Sequence, residues 1–555
     1  MKTILKLFSE HGTFIQPEAM NYISSKEKPK EFTQLLMNNL KEYPLVLTID
    51  QIKDVEQMLI DEEKPKPGEQ TGSNKELQKK LLSRLYETPP VQKEISEDMD
   101  EDFYDLEKED QLPPAPEIEG KIPRPITIEK IKGWKPVARD YESEVKILRD
   151  VTGDSACEGT TNDFVQLFRD RYNVLHKIIR NQRREISNTL PINRIKKNLS
   201  DVQLLGIVKN VKTTTNGHKL IELEDETGTA TLMTLKTNRE IMMLAQEVVL
   251  DEIIGVVGKI SKNGDLIIVQ NIVFPDIRLQ HEKKRAETPV CAAFLSDIHI
   301  GSKQFMENEF NAFLKWINGG LGNSRQKDVA SKIKYLVLPG DLVDGIGIYP
   351  GQEKELSIPN IYEQYQVLAK QLEAIPDHIT VVLQPGNHDA VRPAEPQPTF
   401  EKEIQDLFSG KEFLFVGNPC YLSLHGVEVL SYHGQSLLDF STNIQHLNYN
   451  EPTEVMKVML KKRHLAPIYG GYTPLAPELS DYMIIDNVPD IFVTGHVHTA
   501  HIDEYRGVTL INASSWQAQT SYQKMLNFVP DSGKLPIVNL QTGNATAMDF
   551  SQKIS

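Results

Sequence analysis

Cysteine is nearly absent: Cys157, Cys291 and Cys420 are the only three in 555 residues, and no two stand in C-x-x-C spacing. That scarcity excludes a disulfide framework and a cysteine zinc site, and it points to a reducing interior. Long apolar runs are missing too. No stretch reaches the roughly 18 residues that a membrane span requires. The N-terminal MKTILKLFSEHGTF is too short and too interrupted for a signal peptide, since Glu10 and His11 follow at once. A soluble, cytoplasmic protein without a membrane role is the expectation. Hydrophobic residues at 39% and charged residues at 25% exclude wholesale disorder and leave material for large cores. A net charge of −16 argues against a nucleic-acid binder until its distribution is read: residues 87–119 hold thirteen acids and two lysines, so −11 of the −16 sits in one segment. The rest of the chain is close enough to neutrality to carry basic patches.

What is present divides the chain into five parts. Residues 1–63 read as a small helical module: KEFTQLLMNNLKEY places Phe32, Leu35, Leu36 and Leu40 at helical spacing, and LTIDQIKDVEQMLI repeats the pattern. Residues 64–125 are a linker, acidic and Pro-rich, which cannot bury enough apolar area to offset its ordering entropy and is expected to be largely disordered. Residues 126–200 form a helical segment with a basic face. Phe164, Leu167, Phe168, Tyr172, Leu175, Ile178 and Ile179 give the apolar stripe, Thr161 or Asn162 the cap, and Arg169, Arg171, Lys177, Arg180, Arg183 and Arg184 the basic face. Over residues 201–285 the period changes to that of five strands separated by NG, ETG and KNGD turns, with a helical NREIMMLAQEV before the fourth, the signature of an OB-type barrel. Its near lack of aromatic residues favours a role in holding subunits together over one in stacking single strands.

Residues 286–555 repeat one device: an apolar run of strand type stops at a loop of metal-ligating residue types. PVCAAFLSDIHIG ends in Asp297 and His299, IKYLVLPGDLVDG in Asp341 and Asp344, and HITVVLQPGNHDA in Asn387, His388 and Asp389. VEVLSYHGQS ends in His433, and PDIFVTGHVHTA in His496 and His498. Strand ends can converge on one rim of a sheet, so residues distant in sequence can share a site. Carboxylate, imidazole and amide oxygen suit Mn²⁺, Fe²⁺ or Zn²⁺. One carboxylate can bridge two cations about 3.5–4 Å apart, the arrangement used for in-line attack on phosphorus. A compact run on a helix end, Lys457, Lys461, Lys462 and Arg463, is a candidate contact for DNA phosphates or a partner. His378, His425, His446 and His501 stand outside any motif and read as surface or packing residues.

The series D-x-H, GD-x-x-D, GNHD, H and GH-x-H resembles the calcineurin-like metallophosphoesterase superfamily. An OB barrel upstream is similar to the B subunits of replicative DNA polymerases. The runs GDLVDGIGIYPGQ, SYHGQSLLD, KKRHLAPIYGG and PDIFVTGHVH resemble the small (exonuclease) subunits of archaeal family D DNA polymerases, over about residues 130 to 525. The resemblance implies a multidomain α+β chain: helical module, OB-type barrel, and a metallophosphoesterase β-sandwich flanked by helices. It implies two divalent metal ions, manganese first, with magnesium, iron or zinc as alternatives. Asp297, His299, Asp341 and His498 would hold the first ion. Asp341 would bridge to a second ion held by Asn387, His433 and His496. His388 would face the scissile phosphate, Asp389 would orient His388, and Asp344 would support the ligands. Two departures from the protein phosphatases of the superfamily, Gly345 in place of arginine and Asp389 in place of glutamate, turn the reading from phosphoproteins to nucleic acid. The implied activity is 3′→5′ exonucleolysis of DNA releasing 5′-mononucleotides, the proofreading reaction in DNA replication. Its implied partners are a large catalytic polymerase subunit, the single-stranded 3′ end of DNA and a sliding clamp, in a nucleoid-associated setting. The alternatives are a non-catalytic scaffold subunit and a stand-alone repair nuclease of the same superfamily.

Overall fold

The computed structural model describes residues 133–196, 201–264, 266–279, 281–525 and 527–552, and in the first 55 residues only Phe14, Ile15, Tyr22, Ile23, Phe32, Thr33, Leu36, Val46, Leu47, Ile52, Lys53 and Val55. The linker expected over 64–125 lies outside them. The chain separates into two units, Met1–Pro114 and Ala115–Ser555. In the first, Phe32, Leu36, Ile52 and Val55 are helical and buried. Phe14–Ile15 also pairs in parallel with Val46–Leu47, a contact that helical periodicity did not suggest. No helix of the described residues is long and apolar enough to cross a membrane.

The second unit opens with strand β1 (Val145–Arg149) and helix α1 (Thr161–Gln182). The cap of α1 is Thr160, one residue ahead of the expected Thr161 or Asn162. Its hydroxyl accepts from the Asp163 N–H while the Asp163 carboxylate accepts from the Thr160 N–H, a reciprocal capping box. Strands β2 (Asp201–Thr213), β3 (Lys219–Asp225), β4 (Gly228–Thr234), β5 (Ile253–Ile260) and β6 (Ile267–Val273) close into a barrel of order β2-β3-β4-β6-β5, with α2 (Arg239–Gln246) between β4 and β5. Alternation along these strands fills the barrel with Leu204, Ile221, Leu223, Leu232, Ile254 and Val256.

The remaining strands make two six-stranded sheets. The first contains β7 (Cys291–Phe294), β8 (Ile333–Pro339), β9 (Thr380–Gln384), β10 (Phe413–Phe415), β16 (Lys534–Asn539) and β17 (Ala545–Asp549), in the order β10-β9-β8-β7-β16-β17. The second contains β11 (Cys420–Leu424), β12 (Val427–Ser431), β13 (Ile491–Thr494), β14 (Ala500–Tyr505) and β15 (Val508–Ala513), in the order β14-β15-β13-β12-β11-β1. The unbroken apolar runs of the sequence follow from burial on both faces. Val337, Val382, Val429 and Val493 share one core between the sheets. Their neighbours Leu336 and Leu383 face the helices of the first sheet, α3 (Glu307–Ile317), α4 (Ser324–Lys332) and α5 (Ile361–Leu372). Leu430 and Phe492 face those of the second, α6 (Leu437–Asn443) and α7 (Pro452–Lys462). The stretch KLPIVNLQTG, whose place was open from sequence, is β16 and pairs antiparallel with β7.

Two expectations change. Residues 126–200 contribute not only a helix but also β1, which pairs with β11 and makes this segment an edge of the second sheet. The basic face of α1 loses Arg171, which is fully buried. Its Nε donates to Asp481 Oδ2 at 2.7 Å and its Nη1 to the carbonyls of Pro467 at 2.6 Å and Asp251 at 3.1 Å. Asp481 Oδ2 also lies 2.9 Å from His464 Nε2. Burial lowers the His464 imidazole to about 4, against the opposing pull of Asp481.

Removing Arg171 leaves a buried carboxylate uncompensated, so Arg171→Ala should cost about 3–5 kcal/mol in chemical denaturation; a loss under 1 kcal/mol would deny the triad its role. Between His464's ordinary 6.5 and its folded value of about 4, the unfolded chain binds the extra proton. The His464 contribution is therefore full above pH 6.5 and lost as pH falls toward 4. The difference in urea midpoint between wild type and His464→Gln should shrink over that interval.

Candidate metal centre

Each expected ligand sits just past the carboxyl end of a parallel strand, where backbone donors and acceptors are no longer taken by the sheet. Asp297 and His299 follow β7, Asp341 and Asp344 follow β8, and Asn387, His388 and Asp389 follow β9. His433 follows β12, and His496 and His498 follow β13. Four of them, Asp297, His299, Asp341 and His496, hold φ between 49° and 63°. Left-handed backbone is uncommon for such residues and persists only where surrounding contacts over-determine it. Those contacts are visible: Asp297 N–H donates to the Gly340 carbonyl at 3.1 Å, His299 N–H to the Asp341 carbonyl at 3.2 Å, and His496 N–H to both Asp297 oxygens at 2.9 and 3.1 Å. Behind them, Trp516 N–H donates to the Asp297 carbonyl, and its indole is buried against Phe310, Phe313 and Phe550. Two glycines permit the close approach. A Cβ on Gly495 would collide with Ser296 Oγ and Asp297 Oδ2, and one on Gly386 with Asp341 Oδ1.

The side chains converge in two sets that meet at Asp341, and His388 stands with His299 and Asp341 in a third group between them. In the first, His299 Nε2 and His498 Nε2 lie 3.2 Å apart. Asp297 Oδ1 is 3.4 Å from the His498 nitrogen and 3.9 Å from that of His299, and Asp341 Oδ2 is 3.8 Å from the latter. In the second, His433 Nε2 lies 3.0 Å from Asn387 Oδ1 and 3.3 Å from Asp341 Oδ1, with His496 in the same group. Ring orientation is set from outside. His433 Nδ1–H donates to the Pro339 carbonyl at 2.9 Å, which turns Nε2 inward. Gln523 Nε2 lies 2.9 Å from His498 Nδ1. Asp344 Oδ1 stands 3.2 Å from His299 Nδ1 and is itself held by the Gln517 amide at 2.9 Å.

These residues fit divalent cations. Two imidazole nitrogens at 3.2 Å have one proton at most to share, and two carboxylates deep in the protein face them; a cation is the natural partner of such a donor set. Asp297, His299, Asp341 and His498 would hold one ion, and Asp341, Asn387, His433 and His496 another. The electrostatics point the same way. Burial alone pushes the Asp341 carboxyl up, yet His433 and His388 hold it well below the usual carboxylate range. Burial lowers His433, but Asp341 outweighs it and brings the imidazole up to about 10. Burial, with His433 adding to it, drives His496 down to about 3.

His388 sits at the edge of this constellation. Its Nδ1–H donates to the Asp344 carbonyl at 2.8 Å, so Nε2 faces the cavity, 3.9 Å from Asp341 Oδ2. The orienting acceptor is thus the Asp344 carbonyl and not the Asp389 carboxylate expected from the sequence. Asp389 instead accepts from the N–H groups of Gly386 at 2.9 Å and Leu342 at 3.2 Å and from the Tyr365 hydroxyl at 2.9 Å, pinning the loop that carries Asn387 and His388. Burial, helped by the charge of Asp341, brings its carboxyl up to about 7.

The basic run is corrected. Lys457 pairs with Glu454 and Asp503, each at 2.6 Å, and Lys461 pairs with Glu247 on the barrel. Lys462 is buried against both Glu252 oxygens at 2.8 and 2.9 Å, and Arg463 is buried on the carbonyls of Ile485 and Asp486 at 2.6 Å. Lys461 and Lys462 tie α7 to the barrel side, and the buried Lys462 and Arg463 offer nothing to an outside phosphate.

A cavity of about 390 Å³ opens over the constellation. It is lined by His299, Asp341, His388, His496 and His498 and by residues that motif reasoning missed: Tyr349, Tyr449, Tyr522, Gln523 and Phe528. Tyr349 lies within the GDLVDGIGIYPGQ run; Tyr449 and Phe528 sit on loops, and Tyr522 and Gln523 in a helix of five residues, too short to give a periodic signal.

Comparison with known proteins places the chain in a family. The family of DNA polymerase alpha and epsilon B subunits matches residues 292–503. The DNA polymerase II small subunit of Archaeoglobus fulgidus is 46% identical over 396 residues, 71% of this chain and 78% of that one. Those of Methanocaldococcus jannaschii and Methanothermobacter thermautotrophicus are 42% and 40% identical, over 73% and 75% of this chain and 68% and 84% of theirs.

If these carboxylates are the ligands, Gly495→Ala and Gly386→Ala should each weaken Mn²⁺ binding by roughly 10–100-fold in calorimetry, with the far-ultraviolet dichroism retained. Unchanged affinity would place the ions elsewhere.

Proposed function

Since the chain belongs to the small subunits of archaeal DNA polymerase II, the family D enzymes, we propose that it is the subunit that removes nucleotides from the 3′ end of DNA, working beside a large catalytic polymerase subunit. The observation that carries the reading is the double donor set sharing Asp341, with the free Nε2 of His388 facing the cavity above it. The reading includes an OB-type barrel for residues 201–285, a metallophosphoesterase sandwich for the two sheets, and manganese as the preferred ion.

Divalent ions bound in the two sets would supply Lewis-acid polarisation of the phosphodiester and a nucleophilic water at neutral pH. The chain's own residues supply the rest. Asp297 and Asp341 keep the pocket negative enough to hold cations and to reject an anionic substrate without them. His388, fixed through Nδ1, presents Nε2 where charge develops on phosphoryl oxygens. Nε2 stands where a proton could pass to the departing 3′-oxygen. Asp389 positions that histidine through the backbone. The buried Lys462–Glu252 pair anchors the barrel and gives it the standing of a docking platform.

A 3′-labelled and a 5′-labelled single strand, incubated with the purified chain and Mn²⁺, should shorten stepwise from the 3′ end, and chelator should stop the reaction. His388→Ala should lower the rate roughly 10²–10⁴-fold, and Asp341→Ala by several orders of magnitude because both sets lose a member. Intact strands with wild type, alone and with the large subunit added, would overturn the proposal in favour of a non-catalytic scaffold.

A further inference from the structure

The cavity has an aromatic mouth that the metal chemistry does not require. Tyr349, on the loop after β8, and Tyr522, in the short helix Ser521–Met525, stack with ring centroids 5.9 Å apart and planes 24° from parallel. Tyr522 is half exposed. On the same two segments Ile346, Ile348, Met525 and Val529 also stand in water, without a core to serve. The two rings already stack on one another, and the half-exposed Tyr522 continues that stack at the cavity mouth, where a further flat ring can lie on it. A cavity near 390 Å³ falls in the range of small-ligand pockets, about 300–1,000 Å³, and has no room for a duplex.

We propose that Tyr349 and Tyr522 form the seat of the terminal base, which stacks on this pair at the cavity mouth so that its phosphodiester lies over the donor sets; this rests on the nuclease reading. Stacking is indifferent to base identity because every base has a π face, which suits an activity that must accept any terminal nucleotide once it is unpaired. The seat is tied to the site through the chain: Gln523, next to Tyr522, lies 2.9 Å from His498 Nδ1, and Thr520 N–H donates to its Oε1. Movement of Tyr522 therefore bears on a ligand.

The test uses the full chain and short single strands that differ only at the 3′ end: a normal nucleotide, an abasic one, or a fluorescent aminopurine. With Mn²⁺, the wild type should favour the base-bearing end over the abasic end in kcat/KM by roughly 5- to 150-fold, the range of one base stacked on an aromatic residue. Tyr349→Ala and Tyr522→Ala should bring that ratio close to unity, chiefly through KM, and Tyr349→Phe and Tyr522→Phe should restore it. With Mn²⁺ and a strand whose terminal linkage is a non-hydrolysable analogue, binding should quench aminopurine at the terminus in the wild type and less in the alanine variants. Tyr522 is half exposed, so its variants report even if Tyr349→Ala unfolds. Equal hydrolysis of both ends, or a ratio that survives alanine, overturns the seat and leaves the nuclease reading standing. Quenching without hydrolysis overturns the nuclease reading and leaves the seat.

Discussion

Asp297 and Asp341 carry their carboxylates into a region with almost no access to water, and the geometry around them is a response to that burden. A buried charge must be matched by donors or cations. Here the match is assembled from five loops, each delivered by a strand of one of two sheets. Backbone N–H groups of His388 and His496 point at the carboxylates, and four residues accept a left-handed backbone to bring their side chains inward. The glycines at 386 and 495 leave room where any Cβ would touch a carboxylate oxygen. The loops that carry these side chains are held by hydrogen bonds from the layers behind them.

The same electrostatic rule, applied away from the site, joins the barrel and α1 to the sheets. Arg171 with Asp481, and Lys462 with Glu252, are pairs in which neither partner can be removed without stranding the other in the interior. Residues 115–555 thereby form one compact unit in spite of their separate cores. The barrel, α1 and the two sheets are thus joined by packed and paired groups.

Above the ions, the cavity changes character from acidic and imidazole-rich to aromatic. The lower part suits a phosphate bound through cations; the upper part suits a flat, apolar group. His388 lies at the boundary, its ring held by a backbone carbonyl that comes from the loop of Asp344. Chemistry and recognition thus meet on two loops, one after β8 and one before β16, and both also supply the contacts that orient His299 and His498.

How much of this was legible beforehand follows from the range of each interaction. The parallel strands of the two sheets could be read because burial on both faces demands an unbroken apolar run, a local property. The barrel strands could be read because their alternation is local too. That these carboxylates and imidazoles converge could be read because each stands within a few residues of its strand's end, and the motif series, with its resemblance, supplied the grouping. Other features depended on groups far apart in the chain. Arg171 looked like a surface cation until Asp481, some three hundred residues away, closed over it. Lys462 and Arg463 looked free until the barrel and the Ile485–Asp486 carbonyls claimed them. The acceptor for His388 proved to be a carbonyl, which carries no residue-type signal, and the Tyr349–Tyr522 stack exists only because two loops meet. Residue type and period determined the strands, the donors and their kind of chemistry; burial and long-range pairing, which no single segment encodes, decided which charges are spent inside the protein and which groups face the cavity.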